Sequence, residues 1–234
     1  MRIKSYAAFI LSAAFIVSFI PRAGFASEDA ASGATGNVTP AVYTGGRATG
    51  FEVAGDKSTV EFIGTSLMHH FHGVSHEPSG FTSVDFGNPQ ATVSAEITVP
   101  VDSIKGIALG SEKSDLSKNI HENLESEKYP DIKFKVTQIL PENTDASAPS
   151  KRSYLLKGDL TIHNVTKPVV LTADTEIKDG YLHVTGEYDN LDMTDYGVEP
   201  KPLFAIVSVD DIVDVKFDLY ESLKESAPVH SSVQ

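Results

Sequence analysis

Apolar and polar residues alternate with a period of two over most of the chain between Phe51 and Tyr220. Ala91, Val93, Ala95, Ile97 and Val99 are separated by Thr92, Ser94, Glu96 and Thr98. Ile132, Phe134 and Val136 alternate with Lys133, Lys135 and Thr137, and Val213, Val215, Phe217 and Leu219 with Asp214, Lys216 and Asp218. Successive side chains of a strand point to opposite faces, so each run predicts a strand with one apolar and one wet face. Leu182 and Val184 take up the pattern beyond Asp179-Gly180, a pair suited to a tight hairpin turn. Such sheets bury the apolar side by closing on themselves or by packing on a second sheet, and periodicity alone leaves barrel and sandwich open.

One segment departs from the period. Between Ser114 and Glu127, Leu116, Ile120 and Leu124 fall at i, i+4 and i+8 with polar residues between them. That spacing predicts a single amphipathic helix, capped by Ser114 or Asp115 and finished before Pro130. Three apolar residues make a narrow stripe, enough to lie against a barrel mouth and too little for the centre of a helical bundle.

Four of the eight histidines cluster in Met68-His69-His70-Phe71-His72-Gly73-Val74-Ser75-His76. His70 and His72, two apart on a strand, share a face and have the spacing of a Zn or Cu ligand pair. Alternation counted from Val60 and Phe62 points them inward, unless a bulge at Gly64 resets the register. The competing reading makes His69, His70, His72 and His76 polar residues of a strand face and rim, with no metal. Asp189, Asp192 and Asp195 surround Tyr196-Gly197 and read as a solvated turn, since acid–base work requires a desolvated carboxyl. No Gly-x-Ser-x-Gly elbow, His-Glu-x-x-His, phosphate-binding Gly-rich loop or cysteine nucleophile is present, so no enzyme and no catalytic residue is expected.

The two ends and the charge narrow the setting. Arg2 and Lys4 precede an uncharged run from Tyr6 to Ile20, and Gly24-Phe25-Ala26 supplies small residues at a cleavage site. Residues 1–26 read as a signal peptide cut after Ala26, which places the mature protein in the periplasm without a membrane anchor. The uncharged run is shorter than the roughly 20 residues that span a bilayer. Residues 27–50 are rich in Ala, Gly and Thr and read as a flexible leader, 51–221 as one domain, and 222–234 as a disordered tail. The chain has no cysteine, so stability must come from a core. Residues 1–26 hold three of the 19 basic residues and none of the 32 acidic ones, which leaves a formal charge of −16 on the remainder. Such a surface repels nucleic acid, and no nucleic-acid partner is expected.

Four motifs in order carry a resemblance to a known family. They are Lys57-Ser58-Thr59-Val60-Glu61-Phe62; Ser114-Asp115 followed by Lys128-Tyr129-Pro130-Asp131-Ile132-Lys133-Phe134; Gly158-Asp159-Leu160-Thr161-Ile162-His163-Asn164-Val165-Thr166-Lys167-Pro168-Val169; and Leu191-Asp192-Met193-Thr194-Asp195-Tyr196-Gly197-Val198. The chain resembles the YceI-like family of secreted bacterial proteins. The resemblance implies an all-β fold, an eight-stranded antiparallel lipocalin-like β-barrel with one short amphipathic helix at the rim. It also implies a polyisoprenoid or similar amphiphilic lipid, such as a quinone tail or a polyprenyl phosphate, as ligand, with no cofactor. Val60, Phe62, Val93, Ile97, Phe134, Leu160, Ile162, Val170, Phe204, Ile206, Val215 and Phe217 are the expected inward apolar positions. The residues alone do not separate a filled core from a lipid channel, and the resemblance implies the channel. The function expected is therefore carriage or sequestration of a lipid without catalysis. The alternative is a periplasmic metal- or haem-associated protein using the histidine cluster. A homodimer is the further partnership held open.

Overall fold

A computed structural model describes residues 48–66, 70–85, 87–142, 151–199 and 209–224. The elements are β1 (Thr49–Val53), β2 (Thr59–Ser66), β3 (His70–Ser75), β4 (Ser79–Val84), α1 (Pro89–Thr92), β5 (Ser94–Pro100), β6 (Lys105–Ala108) and β7 (Ser111–Glu112). They continue with α2 (Ser114–Asn123), β8 (Asp131–Pro141), β9 (Lys151–Ile162), β10 (Val165–Lys178), β11 (Tyr181–Asp192) and β12 (Val209–Leu223). Strands β1, β4, β5, β8, β9, β10, β11 and β12 follow one another round an antiparallel ring that the β1–β12 pairing closes. This is the expected eight-stranded barrel. It settles the choice that periodicity left open, because closure leaves no edge among these eight strands.

Strand β12 serves two partners on one side. Its Glu221–Leu223 segment pairs with β1, while its Val209–Asp218 stretch pairs with β2. From β2 the ladder continues to β3, β6 and β7 as a branch, and no pairing joins β7 to β8 among the described residues. Helix α2 follows β7 and fills this gap in the wall. Gly106 of β6 donates its N–H to Ser117 Oγ and accepts from Lys113 N, each at 2.8 Å. Leu116, Ile120 and Leu124 are each 5% exposed and join Val101, Ile162, Leu191, Tyr196 and Val213 in the main core.

Where β1 gives way to β2, β3 to β4 and β5 to β6, the ladders break and buried serines take up the loose backbone groups. Ser58 Oγ accepts from Tyr220 N at 3.0 Å and donates to Ala54 O at 2.8 Å. Ser75 and Ser103 hydroxyls bond each other at 2.6 Å, and Ser103 Oγ donates to Pro100 O. Orphaned buried backbone groups would otherwise cost the fold at three points.

Three local expectations are corrected. Helix α2 ends at Asn123 and not at Glu127, because Glu125 takes a left-handed φ of 47°. Ser126 N bonds His121 O and Glu125 N bonds Glu122 O, a Schellman closure with Glu in the position usually held by Gly. The N-cap is Lys113 with no side-chain cap bond, so neither Ser114 nor Asp115 plays that part. Ala91 lies in α1 and the strand expected from it starts at Ser94. At the ends, β1 starts two residues before 51 and β12 runs two residues past 221; residues 1–47 and 225–234 lie outside the described residues.

Candidate functional site: an apolar cavity in the barrel

The inward faces of the strands enclose a cavity of about 290 Å³. A single water needs roughly 10–15 Å³ in the same measure, so this space is about twenty times too large to count as a packing defect. Nine of the expected inward residues line it: Val60, Phe62, Val93, Ile97, Phe134, Leu160, Ile162, Val215 and Phe217. Val170 does not. It is 50% exposed and pairs with Lys157 on the outer face, whereas its neighbours Val169 and Leu171 pair with Gly158 and Leu156. Three consecutive apolar residues hide the parity of that strand. Phe204 and Ile206 lie outside the described residues.

Glycines explain why these aromatic side chains leave a space instead of filling it. A Cβ at Gly73 would sit 2.0 Å from Phe62, at Gly64 2.3 Å from Phe71, at Gly158 2.4 Å from Phe134, and at Gly186 2.4 Å from Phe217. Each ring lies down over a glycine of the adjoining strand, against the wall. Strand-interior glycine commonly marks such a close approach. Apolar pattern alone does not reveal this; the four glycines in otherwise alternating runs are the sequence signal for it.

The lining is nearly all hydrocarbon. Among the described lining residues there is no Lys, Arg or His, and the only carboxyl groups are Asp210 and Glu221. Glu221 is 1% exposed. Its Oε1 accepts from Thr82 Oγ1 at 3.1 Å, while Oε2 has no hydrogen-bond partner among the described residues. Burial pushes its pKa up to about 7, against a smaller lowering by the Thr82 bond. The apolar row Val213, Val215, Phe217 and Leu219, continued by one more step of two, leads to Glu221 on the inner face. Phe71, Leu182 and Tyr154 also line the cavity, and of these only Leu182 belongs to an alternating run read from the sequence.

At the α2 side the family-like motifs meet. The Tyr129 ring packs edge-on against His163 at 4.2 Å, and His163 Nε2 bonds Glu125 Oε2 at 2.8 Å. That hydrogen bond, with Lys128 nearby, holds Glu125 below its ordinary pKa. His163 and Asn164 form the β9–β10 turn with φ of 51° and 61°. Lys167 Nζ donates to Asp195 Oδ1 at 2.5 Å and stands over the Tyr196 ring, whose phenol burial pushes up to about 12. These contacts fasten strand ends and turns together, and none of them enters the cavity.

The histidine cluster is not an inward site. Thr65 pairs with His70, Gly64 with Phe71 and Ile63 with His72, so Phe71 faces the lumen and the two histidines face out. Counting from Val60 fails because the chain reverses between β2 and β3, and not through a bulge at Gly64. His72 Nδ1 meets Glu61 Oε1 at 2.5 Å, His70 Nδ1 meets Thr65 Oγ1 at 3.2 Å, and His76 Nδ1 meets Thr59 Oγ1 at 3.1 Å. His69 lies outside the described residues, among which no group of three or more His, Cys, Asp or Glu is placed to hold a metal. The carboxylate run is likewise dispersed. Asp192 caps a short turn through Thr194 N and Oγ1, and the Thr194 side-chain bond is the main cause of its lowered pKa.

Comparison with known proteins gives one consistent picture. A family model described as the YceI-like domain matches residues 51–220. A UPF0312 protein of Pseudomonas savastanoi pv. phaseolicola is 28% identical over 165 residues, covering 67% of this chain and 79% of its own. Among solved structures, Burkholderia cenocepacia BcnA superimposes with a TM-score of 0.58 at 21% identity, over 72% of this chain and 98% of its own. A polyisoprenoid binding domain from Saccharophagus degradans, implicated in plant cell wall breakdown, gives 0.56 at 13% identity, over 74% and 98%. At these identities the two structures speak for the fold.

Proposed function

The chain belongs to the YceI-like family, and on that premise we propose that it binds an isoprenoid or similar amphiphilic lipid inside its barrel and carries or sequesters it without transforming it. The observation that carries this reading is the apolar cavity of about 290 Å³ with no cationic side chain in its described lining. A hydrocarbon chain needs no polar partner there, and each buried methylene contributes about 0.8 kcal/mol. The S. degradans domain, described as polyisoprenoid binding, supports the same ligand class for this fold. We place the mature protein in the periplasm, starting at Ser27, on the strength of the charged start, uncharged run and small residues of 1–26.

Protein isolated from its own periplasm, extracted with organic solvent and analysed by mass spectrometry, should yield one amphiphilic lipid near one equivalent, with an N-terminus at Ser27. An empty extract, or a fully retained Met1 start, overturns the soluble-carrier reading.

A further inference from the structure

Glu221 is anomalous in a cavity built for hydrocarbon. It lies in the same inward row as Val213, Val215, Phe217 and Leu219, pairs across the sheet with Leu182 and Val53, and is 1% exposed. One oxygen is held by Thr82 at 3.1 Å; the other has no partner among the described residues. Oε2 shows almost no surface to the unfilled cavity, so the carboxyl must turn toward the lumen before a ligand atom can meet it, and where it stands it is an unanswered buried polar atom.

We propose that Glu221 is the polar receptor of the cavity and that the ligand carries an uncharged oxygen, of a hydroxyl or a carbonyl, which pairs with Glu221 Oε2. The inference rests on the lipid-cavity reading and narrows it to neutral amphiphiles, setting prenyl phosphates aside. Three observations agree. The position of Glu221 in the row places its carboxyl on the apolar side of the wall. Oε1 is already committed to Thr82, so a proton on the carboxyl resides on Oε2, where it donates to a ligand oxygen. The only other carboxyl in the described lining is Asp210, and no cation stands there to neutralise a phosphate. The elevated titration of Glu221 to about 7 keeps that donor available at mildly acidic pH.

Three ligands of equal chain length separate the chemistry: geranylgeraniol, geranylgeranyl phosphate and the alkane phytane, each measured at pH 6 by displacement of a fluorescent lipid. The wild type should prefer the alcohol to both others by roughly tenfold, the worth of one well-placed buried hydrogen bond. Glu221→Leu should bind the alkane at least as well as the wild type and lose the preference for the alcohol. Glu221→Gln, which can still donate and accept, should keep it. An alcohol preference unchanged in Glu221→Leu, or a wild type that binds the phosphate as tightly as the alcohol, overturns this inference and leaves the lipid cavity standing. Failure of folded wild type to bind any of the three overturns the cavity reading and this inference with it.

Discussion

Glu221 also ties folding to pH, and the direction follows from its surroundings. Burial raises its pKa from 4.5 to about 7, and the Thr82 hydrogen bond only partly opposes this. The folded chain therefore keeps a proton that the unfolded chain gives up near 4.5. The associated stability is complete below pH 4.5, is lost as pH rises toward 7, and stays lost above it. The span between the two values corresponds to roughly 3 kcal/mol. Thermal melts of wild type and Glu221→Gln between pH 4 and 8 should diverge in that window, the wild type losing stability relative to the amide by about this amount. Parallel curves would show that the folded state does not bury the charge. Asp192 behaves in the opposite sense: its lowered pKa comes from hydrogen bonds to the ionised form, so it favours the fold above its own titration. Two acids from one sequence thus take opposite signs because one faces hydrocarbon and the other a turn of donors.

At the scale of the element, the cavity depends on strands whose glycines let rings lie flat. Gly73→Val or Gly64→Val would place a side chain where the Phe62 or Phe71 ring now rests, 2.0 Å and 2.3 Å from the added Cβ. The ring must then swing toward the lumen. Both variants should keep a β-rich circular dichroism spectrum while lipid capacity falls several-fold; unchanged loading would show that the rings have another place to go. Helix α2 is the other dependent element, since it fills a gap in the ladder. Ile120→Asp sets an unpaired charge at a position 5% exposed and should destabilise by about 3 kcal/mol in a denaturant melt; an unaltered midpoint would mean that the helix does not seal the wall. Strand faces and this helix were legible in the sequence because each shows one clean period over several residues. The parts that were not legible share a cause: their period is interrupted or extended by tertiary contacts. Val169-Val170-Leu171 has no alternation to read, His70 and His72 lie beyond a chain reversal, and Glu125 closes the helix in a conformation usually left to glycine. Glu221 obeys the strand period but breaks the equation of inward with apolar, which is why residue type concealed it.

For the whole molecule, closure of the ring joins the residues above into one space, so a change at one wall position is felt by any occupant of the cavity. Phe134 lines that space from β8, paired with Ile97 and Leu160, while Lys135 beside it pairs with Glu96 and Asp159 on the outer face. Phe134→Glu introduces a carboxylate with no cationic partner on the described lining, and an apolar ligand cannot compensate it. It differs from Glu221, which retains Thr82 as a donor. Phe134→Glu should therefore lose bound lipid where the barrel persists, and Lys135→Glu should retain it, since a reversed charge on a solvated face is worth little. Circular dichroism and a melt must first show both variants folded, because a collapsed barrel empties for a trivial reason. With both folded, equal lipid content in Phe134→Glu and wild type would locate the ligand outside the barrel. The cavity would then be an unfilled interior, and the function would have to be sought on the acidic outer surface.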